Sequence, residues 1–500
     1  MTTNQEVRSI IDNIINKLYA AGLSNPVTYI EQLSYLFYLK MLEEWDNANV
    51  AEAKMTKRKY RSIFAGEKEK YRWSIWTHIP DNNEMFKFVR DGVFPFMVEI
   101  PAREDVRRFF QDARFMIPDG VVLRDVVDRL QEINFYELDA DVKGDLYEYL
   151  LSQLATQRKA GQFRTPRHII RTIVRLVNPQ IGETALDPAA GTAGFLLGAF
   201  EWIKLQNSDP KTITEVDNGS GQKIKRGLGD KLTDEQWKFL ENSTFFGFDV
   251  DNAMVKIANM NLLLHGLGGA TVIRRDSIAG SPDDWEDRKF DVVVTNPPFA
   301  GTINKERVRK YLPVQSTDST TLFLGLITQA LRPGGRAGVI VNEGVLFGRN
   351  RAQKEIRRYI LEHFDLEGVI SLPAGVFQPY AGVKTSFLIF KNTGKKTEKV
   401  WFYDVRYDGF ELATKRRPTP DKNDLPDLLE KWEKKPESER SWWADIEKIE
   451  ENDFILSANS YNPNVGDREE KHRDPKEILR EVKKLEEDTR NIVQRISKFL

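Results

Sequence analysis

The residues with the clearest chemical potential are Asn296, Pro297, Pro298 and Phe299, which follow the apolar stretch 290–295. Proline fixes φ and biases the residue before it toward an extended backbone, so this loop is expected to be rigid. The Asn296 side-chain oxygen and the Pro297 carbonyl would together accept both hydrogens of a planar NH2 group. Phe299 offers a face for a stacked base, worth roughly 1–3 kcal/mol. The sequence therefore predicts a catalytic loop that binds a conjugated amine.

A conjugated amine is a poor nucleophile because its lone pair is delocalised into the ring. Drawing both hydrogens out of the ring plane localises that pair toward an electrophile. A methyl sulfonium is already a strong electrophile, so positioning and electrostatics would supply most of the catalysis. A basic side chain is not required for this chemistry.

A second candidate site is the loop of small residues in ALDPAAGTAGF, residues 185–195. Gly191 and Gly194 would allow a tight turn and close approach of the backbone to a ligand. Asp187 stands where a dinucleotide fingerprint would have its first glycine, and no G-x-G-x-x-G follows. A carboxylate there would repel pyrophosphate but suits an ammonium group or a sugar hydroxyl. The loop therefore favours S-adenosylmethionine over NAD.

Two further carboxylates stand at predicted strand ends. Asp249 is placed to accept hydrogen bonds from ribose hydroxyls, although it could instead cap the next helix, a role for which Asp251 competes. Asp276 could accept from the exocyclic amine of a bound adenine ring. About 60 residues separate Asp187 from Asp249, more than a compact βαβ unit needs, so residues 206–236 are predicted to be an insertion or a helical excursion.

These strand-end residues require a sheet to bring them together. From about residue 165, short apolar strands alternate with helical stretches, which indicates an α/β domain with a doubly wound, largely parallel sheet. Seven strands are predicted, at 184–186, 244–248, 271–273, 290–295, 337–341, 366–371 and 385–390.

The end of the chain is predicted to be a helix that begins near Asp474 and carries a heptad seam. Such a seam predicts a partner helix, although this helix could instead fold back on its own domain. The predicted organisation is a helical N-terminal domain at 1–150, a catalytic domain at 151–395, a charged connecting segment at 396–472 and a coiled-coil-type helix at 473–500.

Composition excludes several classes of protein. The 500 residues include no cysteine and five scattered histidines, so no metal site is predicted. No secretory signal and no run of about 18 apolar residues is found, which predicts a cytoplasmic protein that does not bind a membrane.

The charge balance limits how the chain could bind nucleic acid. Lys plus Arg (74) nearly equal Asp plus Glu (75), so binding must come from local basic patches. One candidate is the stretch 53–73, where basic and aromatic residues alternate. It could bind bases and phosphates, or it could be a solvated helix face with aromatic residues packed inward.

In order and content, these motifs resemble the N6-adenine DNA methyltransferases, and specifically the modification subunits of type I restriction-modification systems. The resemblance spans essentially the whole chain and rests on GQFRTPRHII (161–170), DPAAGTAGF (187–195), NPPF (296–299) and the C-terminal helix. It implies a Rossmann-like fold that depends on S-adenosylmethionine. It also implies methyl transfer to N6 of an adenine flipped out of double-stranded DNA.

The resemblance extends to individual residues. The segment before the first strand is expected to fold over the methionine end of the cofactor, the small-residue loop to contact it, and Asp249 to hold its ribose. Arg164 stands where the family usually has Tyr, and Ala190 and Ala193 replace the commoner Cys and Gly. The expected cofactor-binding residues are Gln162, Phe163, Arg164, Thr165, Pro166, Arg167, Asp187, Ala190, Gly191, Thr192, Ala193, Gly194, Asp249 and Asp276.

Partners are also implied by the resemblance. These are a separate specificity subunit gripped by the C-terminal helix, a second copy of this chain, and a motor-nuclease restriction subunit. Basic residues beside the catalytic loop could hold DNA phosphates, or form a solvated loop; they are Lys305, Arg307, Arg309 and Lys310.

Two other functions fit the same motifs. An NPP sequence followed by an aromatic residue also suits a planar amide, which would make the chain a methyltransferase for the N5 atom of glutamine in proteins. The alternative that is not an enzyme is a non-catalytic DNA-binding scaffold with the same fold.

Overall fold

The computed structural model of the chain consists of a helical N-terminal region followed by an α/β region. The residues that it describes are 4–56, 60–99, 110, 113–133, 144, 147, 149–151, 165–217, 223–279, 288–299, 303–304, 306, 308–377, 384–412, 416–463 and 487. The predicted C-terminal helix at 473–500 lies outside the described residues, apart from Glu487. No helix within the described ranges is both long enough and apolar enough to span a membrane.

Apolar spacing and side-chain caps explain the N-terminal helices. The apolar face of the first helix is buried at Ile11, Ile14 and Leu18. The second helix begins after a cap, where the Asn25 side chain accepts a hydrogen bond from the Val27 amide at 3.0 Å. The helices are α1 (Asn4–Ala20), α2 (Pro26–Thr56), α3 (Trp73–Trp76), α4 (Asn82–Phe88), α5 (Phe94–Glu99) and α6 (Gly120–Gln131).

The basic and aromatic stretch at 53–73 folds inward where it is described. Phe64 and Trp73 are buried, and Tyr60 donates a hydrogen bond to Asp46. Arg72 also contacts Asp46, at 3.1 Å. These contacts favour the interpretation in which the aromatic residues of this stretch pack against α2.

Among the described residues, nine strands form one sheet, in the order β13-β10-β8-β9-β7-β6-β1-β4-β5. Neighbouring strands are parallel, except that β9 is antiparallel to β7 and β8, and β13 is antiparallel to β10. The strands are β1 (Ala185–Asp187), β4 (Phe245–Asp249), β5 (Thr271–Arg274), β6 (Phe290–Thr295), β7 (Leu331–Asn342), β8 (Asp365–Ser371), β9 (Thr385–Lys391), β10 (Lys399–Asp404) and β13 (Ser441–Asp445).

All seven predicted strands are present, and the sheet is two strands wider than expected. The additional strands, β10 and β13, lie in the segment 396–472 that was expected to be a charged connection. They join the sheet because their apolar side chains are buried, including Trp401, Phe402 and Trp442. This segment therefore contributes to the α/β core. The predicted insertion at 206–236 contains a separate hairpin of β2 (Thr214–Asp217) and β3 (Lys223–Arg226).

Helices cover both faces of the sheet, as a doubly wound fold requires. Val292 and Val294 of β6 pack in one core, whereas Val293 packs in the other. The first core contains α7 (Arg167–Val177), α8 (Gly194–Gln206) and α10 (Asn252–Leu264); the second contains α11 (Ser319–Ala330) and α13 (Arg351–His363). The remaining elements are α9 (Asp234–Asn242), α12 (Glu343–Phe347), α14 (Leu425–Lys431), α15 (Ile446–Glu451), β11 (Asp408–Phe410) and β12 (Pro418–Asn423).

Helix α10 also joins the two regions of the chain. Its residues Met254, Ile257 and Met260 belong to the apolar cluster of the N-terminal helices. The buried Lys256 ammonium lies 2.8 Å from the Tyr35 hydroxyl and 3.3 Å from a Glu31 carboxylate oxygen, both on α2. The N-terminal helices are thus packed on a helix that begins at the carboxyl end of β4.

Candidate active site

A cavity of about 530 Å³ opens at the carboxyl ends of β1, β4, β5 and β6. The strand order changes direction at β1, since β4 and β5 lie on one side of it and β6 and β7 on the other. Open α/β sheets bind ligands in the crevice at such a point. The predicted site residues that line the cavity are Thr165, Arg167, Asp187, Ala190, Gly191, Thr192, Gly194, Asp249, Asp276, Asn296, Pro297 and Pro298.

The other predicted site residues lie elsewhere. Pro166 precedes the first turn of α7, and Ala193 forms the junction between the small-residue loop and α8. Phe299 packs edge-to-face against Phe377, with ring centroids 5.8 Å apart. Gln162, Phe163 and Arg164 lie outside the described residues.

Of the four basic residues predicted to contact DNA phosphates, two lie among the residues that the structure describes. Lys305 and Arg307 lie outside the described residues. Arg309 is 5% exposed, and its Nη2 atom lies 3.5 Å from the Asp276 carbonyl oxygen, which disfavours a direct phosphate contact. Lys310 is exposed to solvent.

Asp187 places a buried carboxyl group in the cavity wall. One of its oxygens accepts hydrogen bonds from the Thr295 hydroxyl at 2.6 Å and the Ala189 amide at 3.1 Å. Burial raises the pKa of Asp187 to about 7. A buried carboxyl group of this kind is stabilised in its charged form by a cationic ligand group.

Asp249 connects the end of β4 to the small-residue loop. Its Oδ2 atom accepts from the Gly191 amide at 3.0 Å and its Oδ1 atom from the Asp251 amide at 2.9 Å. Burial raises the pKa of Asp249. The cap of α10 is Asp251, whose side chain accepts from the Ala253 amide at 2.9 Å. The competing assignment of Asp249 as the helix cap is therefore wrong.

The small-residue loop is held in place by backbone contacts. Gly191 has φ of 51° and Ala193 has φ of 62°, both in the left-handed region. The Ala190 amide donates to the Phe248 carbonyl at 2.9 Å. The buried Asn261 side chain donates to the Thr192 carbonyl at 2.7 Å. Sequence reasoning missed Asn261, because nothing in the pattern of α10 separates it from other polar residues of a helix.

The loop after β5 also lines the cavity, through residues 275–278. The Asp276 side chain accepts hydrogen bonds from the Ile278 and Ala279 amides, at 3.2 and 3.0 Å. The Ser277 hydroxyl donates to the Pro188 carbonyl at 2.6 Å, which ties the two loops together.

Apolar side chains in the cavity wall were also missed by the sequence analysis. Val250 lines the cavity beside Asp249 and is 60% exposed. The sequence signal that could have identified Val250 is its position as an apolar residue directly after the acid at a strand end. Ile303 and Phe323 also line the cavity, but no local pattern marks them as site residues.

Asn296 is oriented by a residue from a distant motif. Its side-chain nitrogen donates to the Thr165 hydroxyl at 2.9 Å. Its Oδ1 atom is buried and has no hydrogen-bond partner within the described part of the chain. An unpaired buried acceptor costs roughly 1–3 kcal/mol, so this atom suits a ligand that donates a hydrogen bond.

Comparison with protein families gives two matches in sequence. The N-6 DNA Methylase model matches residues 138–471, and the HsdM N-terminal domain model matches residues 7–130. The first match covers the α/β region with its cavity, and the second covers the N-terminal helices.

Similar proteins extend over nearly the whole chain. The EcoEI type I restriction enzyme methylase subunit of Escherichia coli is 30% identical, over 96% of this chain and 94% of its own length. The EcoKI methylase subunit of Escherichia coli strain K12 is 29% identical, over 85% of this chain and 75% of its own.

Solved structures show the same fold. A chain from a structure on complex assembly and conformational transition of the type I R-M system is 29% identical, with a TM-score of 0.70, and covers 100% of this chain and 99% of its own. The methyltransferase subunit of a type I restriction-modification system from Streptococcus thermophilus has a TM-score of 0.67 at 18% identity, covering 92% of this chain and 100% of its own. The family indicated by the motifs is therefore confirmed. The chain belongs to the N-6 DNA methylase family, as the methylase subunit of a type I restriction-modification system.

Proposed function

We propose that the cavity binds S-adenosylmethionine and a flipped adenine side by side, and that methyl transfer to N6 of the adenine takes place between them. The observation that carries this proposal is the buried Asn296 Oδ1 atom, which has no hydrogen-bond partner among the described residues and belongs to a residue that lines the same cavity as Asp187 and Asp249. S-adenosylmethionine supplies a methyl group on a sulfonium, which is already activated for transfer.

The cofactor half of the cavity matches the groups of S-adenosylmethionine. Asp187 would pair with the ammonium group, which would lower the pKa that burial raises. Asp249 would accept from the ribose hydroxyls while its two oxygens stay fixed by the Gly191 and Asp251 amides. Val250 would cover one face of the adenine ring of the cofactor, and Asp276 would accept from its amine.

The carboxylate of the cofactor would meet positive groups at the start of α7 and α8. Arg167 lines the cavity, with its Nη1 atom 3.3 Å from the Gly194 carbonyl oxygen. The first amides of α8 have no side-chain cap, since the residue at the cap position is Ala193. Helix N-termini attract anions because their amides and dipole are positive.

The catalytic loop would select the amine and activate it by geometry. Thr165 fixes the Asn296 amide, so that Oδ1 remains the acceptor for one N6 hydrogen, and the Pro297 carbonyl would accept the other. Holding both hydrogens directs the N6 lone pair toward the methyl group. When bound, the cofactor would supply the methyl group and leave as a neutral thioether, and N6 would release its surplus proton to solvent once the new C–N bond has formed. Flipping the adenine costs a few kcal/mol, which contacts with the DNA backbone would offset.

The chain is proposed to act within a larger assembly. Its partners would be double-stranded DNA, a specificity subunit bound through the C-terminal segment 473–500, a second copy of the chain and a motor-nuclease restriction subunit. The similarity to a chain from a type I R-M assembly supports this proposal. A truncation after Pro463 should lose the specificity subunit in co-purification but still bind S-adenosylmethionine. Retention of that subunit by the truncated chain would contradict the assignment.

The proposed reaction is tested by following a labelled methyl group. The full-length chain, with its specificity subunit, is incubated with labelled S-adenosylmethionine, duplex DNA and cellular protein. Label recovered as N6-methyladenine is the expected result. Label in protein glutamine would instead support glutamine methylation, and failure to bind the cofactor in calorimetry would support a non-catalytic scaffold.

A further inference from the structure

A buried cluster of His168, Asp408 and Arg416 lies outside the cavity wall. Asp408 is fully buried. Its Oδ2 atom lies 2.9 Å from His168 Nε2, and Arg416 Nη2 donates to both carboxylate oxygens at 2.6 and 2.5 Å. The Phe410 ring covers the cluster, packing against the imidazole at 4.6 Å between centroids and against the Arg416 guanidinium at 5.4 Å.

The charges within the cluster are matched. Burial lowers the pKa of His168 by more than the Asp408 contact raises it, so the imidazole is neutral at neutral pH. Burial alone would raise the pKa of Asp408, but His168 and Arg416 together bring it below its ordinary value. The cluster is thus an Asp408–Arg416 ion pair with a neutral imidazole on one side.

One end of the cluster reaches the segment that orients Asn296. His168 lies in the first turn of α7. Three residues before it is Thr165, whose hydroxyl accepts the hydrogen bond from the Asn296 side chain. A shift of the start of α7 would therefore move the hydrogen-bond partner that orients the Asn296 side chain.

The other end reaches the packing partner of Phe299. Arg416 Nη1 donates to the Val376 carbonyl at 2.7 Å. The next residue, Phe377, is 1% exposed and packs edge-to-face against Phe299. The same cluster therefore links the two segments that border the first and last residues of the catalytic loop.

Apart from this cluster, the hairpin formed by β11 and β12 contributes little to the core. Strands β11 and β12 pair with each other in a two-stranded sheet of their own, and most of the β12 side chains are exposed or half-buried. Burying a carboxylate, a guanidinium and an imidazole together carries a desolvation cost that well-packed apolar residues would avoid. The cluster carries this desolvation cost at the place where the Thr165 segment and the Phe377 segment meet. This indicates that the cluster is needed to hold the two segments in a fixed arrangement.

We infer that Asp408 and Arg416 are positioning residues for the target adenine, because they hold the Thr165 and Phe377 segments at a fixed separation around Asn296–Phe299. The inference rests on the proposed function of this loop. It assigns a positioning role to Asp408 and Arg416, which lie outside the sequence motifs that indicated the site.

The test compares two Arg–carboxylate pairs in the full-length chain with its specificity subunit. Arg416→Gln removes the cluster pair. Arg336→Gln removes a control pair, in which Arg336 lies 2.8 Å from each carboxylate oxygen of Glu183 at the opposite, amino end of the sheet. The readouts are single-turnover methyl transfer, cofactor affinity, and the fluorescence of 2-aminopurine placed at the target adenine, which increases when the base is unstacked.

Arg416→Gln should reduce the rate of methyl transfer by about 10- to 100-fold, as expected for a small misplacement of reacting groups. The 2-aminopurine signal should change with it, and the affinity for S-adenosylmethionine should fall by a smaller factor than the rate, because Thr165 and Arg167 at the start of α7 also line the cavity. Arg336→Gln should retain the wild-type rate. Arg416→Lys, which keeps the charge but loses the second guanidinium nitrogen that contacts the Val376 carbonyl, should give an intermediate rate and serves if Arg416→Gln does not fold.

Two outcomes would overturn the inference. One is a wild-type rate and 2-aminopurine signal in both Arg416 variants, and the other is an equal loss of rate in the Arg416 and Arg336 variants. Absence of methyl transfer by the wild-type complex would instead contradict the proposed function itself, so the two failures are distinguishable.

Discussion

At the scale of single residues, the candidate site could be predicted where its chemistry is local in sequence. Asn296, Asp187 and Asp249 were found because each directly follows an apolar strand, and all three line the cavity. The hydrogen bond that orients Asn296 could not be predicted, because Thr165 lies 131 residues away in the chain. Phe299 was identified by its position in the motif, yet it packs on Phe377 outside the cavity lining. Its role in base stacking remains a prediction.

The raised pKa of Asp187 predicts how cofactor affinity depends on pH. Without ligand, this carboxyl group has a pKa of about 7, and an ammonium group beside it would lower that value. Binding therefore releases a proton below about pH 7, so affinity should fall as the pH decreases from about 7 to 6, by up to about tenfold per unit. Titration calorimetry at several pH values and in buffers of different ionisation enthalpy measures both effects.

Asp187→Asn provides the control for this pH dependence. Asparagine carries no titrating proton, so the variant should bind more weakly and lose the change in affinity between about pH 6 and 7. A pH dependence equal to that of the wild-type protein would show that another group is responsible.

At the scale of elements, the junction between the small-residue loop and α8 predicts a stabilising substitution. Ala193 has φ of 62°, a backbone conformation that costs a residue with a Cβ roughly 1 kcal/mol relative to glycine. Ala193→Gly should therefore raise the free energy of unfolding by up to about 1 kcal/mol, less the added entropy of the unfolded chain. Chemical denaturation of the purified chain measures the difference.

The matched control for that junction is Ala190→Gly in the same loop. Ala190 is buried at negative φ and packs near Gly247, so glycine should lower the free energy of unfolding by about 0.5–1 kcal/mol. If both substitutions destabilise the chain equally, the left-handed conformation of Ala193 is not the source of the effect.

Among the elements of the sheet, those with continuous apolar runs could be predicted from sequence. The strand 290–295 has the predicted bounds, and β4, β8 and β9 differ from their predicted bounds by a residue at one or both ends. Strands β10 and β13 were missed because they lie in a charged, turn-rich context and bury bulky residues such as Trp401 and Trp442. Strand β10 joins the sheet by pairing with β8, and β13 joins it by pairing with β10; no local sequence pattern records either pairing.

At the scale of the whole molecule, the N-terminal helices are packed against the α/β region through α10, the helix that follows β4. Lys256 is 4% exposed and contacts Glu31 and Tyr35 of α2. Removing one member of a buried charge pair typically costs about 3–5 kcal/mol, because the other charge is left without compensation. Lys256→Ala should lower the free energy of unfolding by an amount of this order, measured by denaturant titration.

Lys391→Ala is the matched control for the buried contact of Lys256 with Glu31. The Lys391 ammonium lies 2.9 Å from Glu367, and its side chain is 40% exposed, so the loss should be below about 1 kcal/mol. Similar losses for Lys256→Ala and Lys391→Ala would mean that the buried pair does not hold the N-terminal helices in place.

The central claim is that Asn296, oriented by Thr165, receives the amine of the target adenine. It is tested most directly by sequencing DNA for N6-methyladenine in cells that carry either the wild-type chain or Asn296→Ala, each expressed with its partner subunits. The expected result is a defined methylated motif in wild-type cells and its loss in Asn296→Ala cells, with equal amounts of folded protein in both. Persistence of every methylated motif in the Asn296→Ala cells would contradict the account.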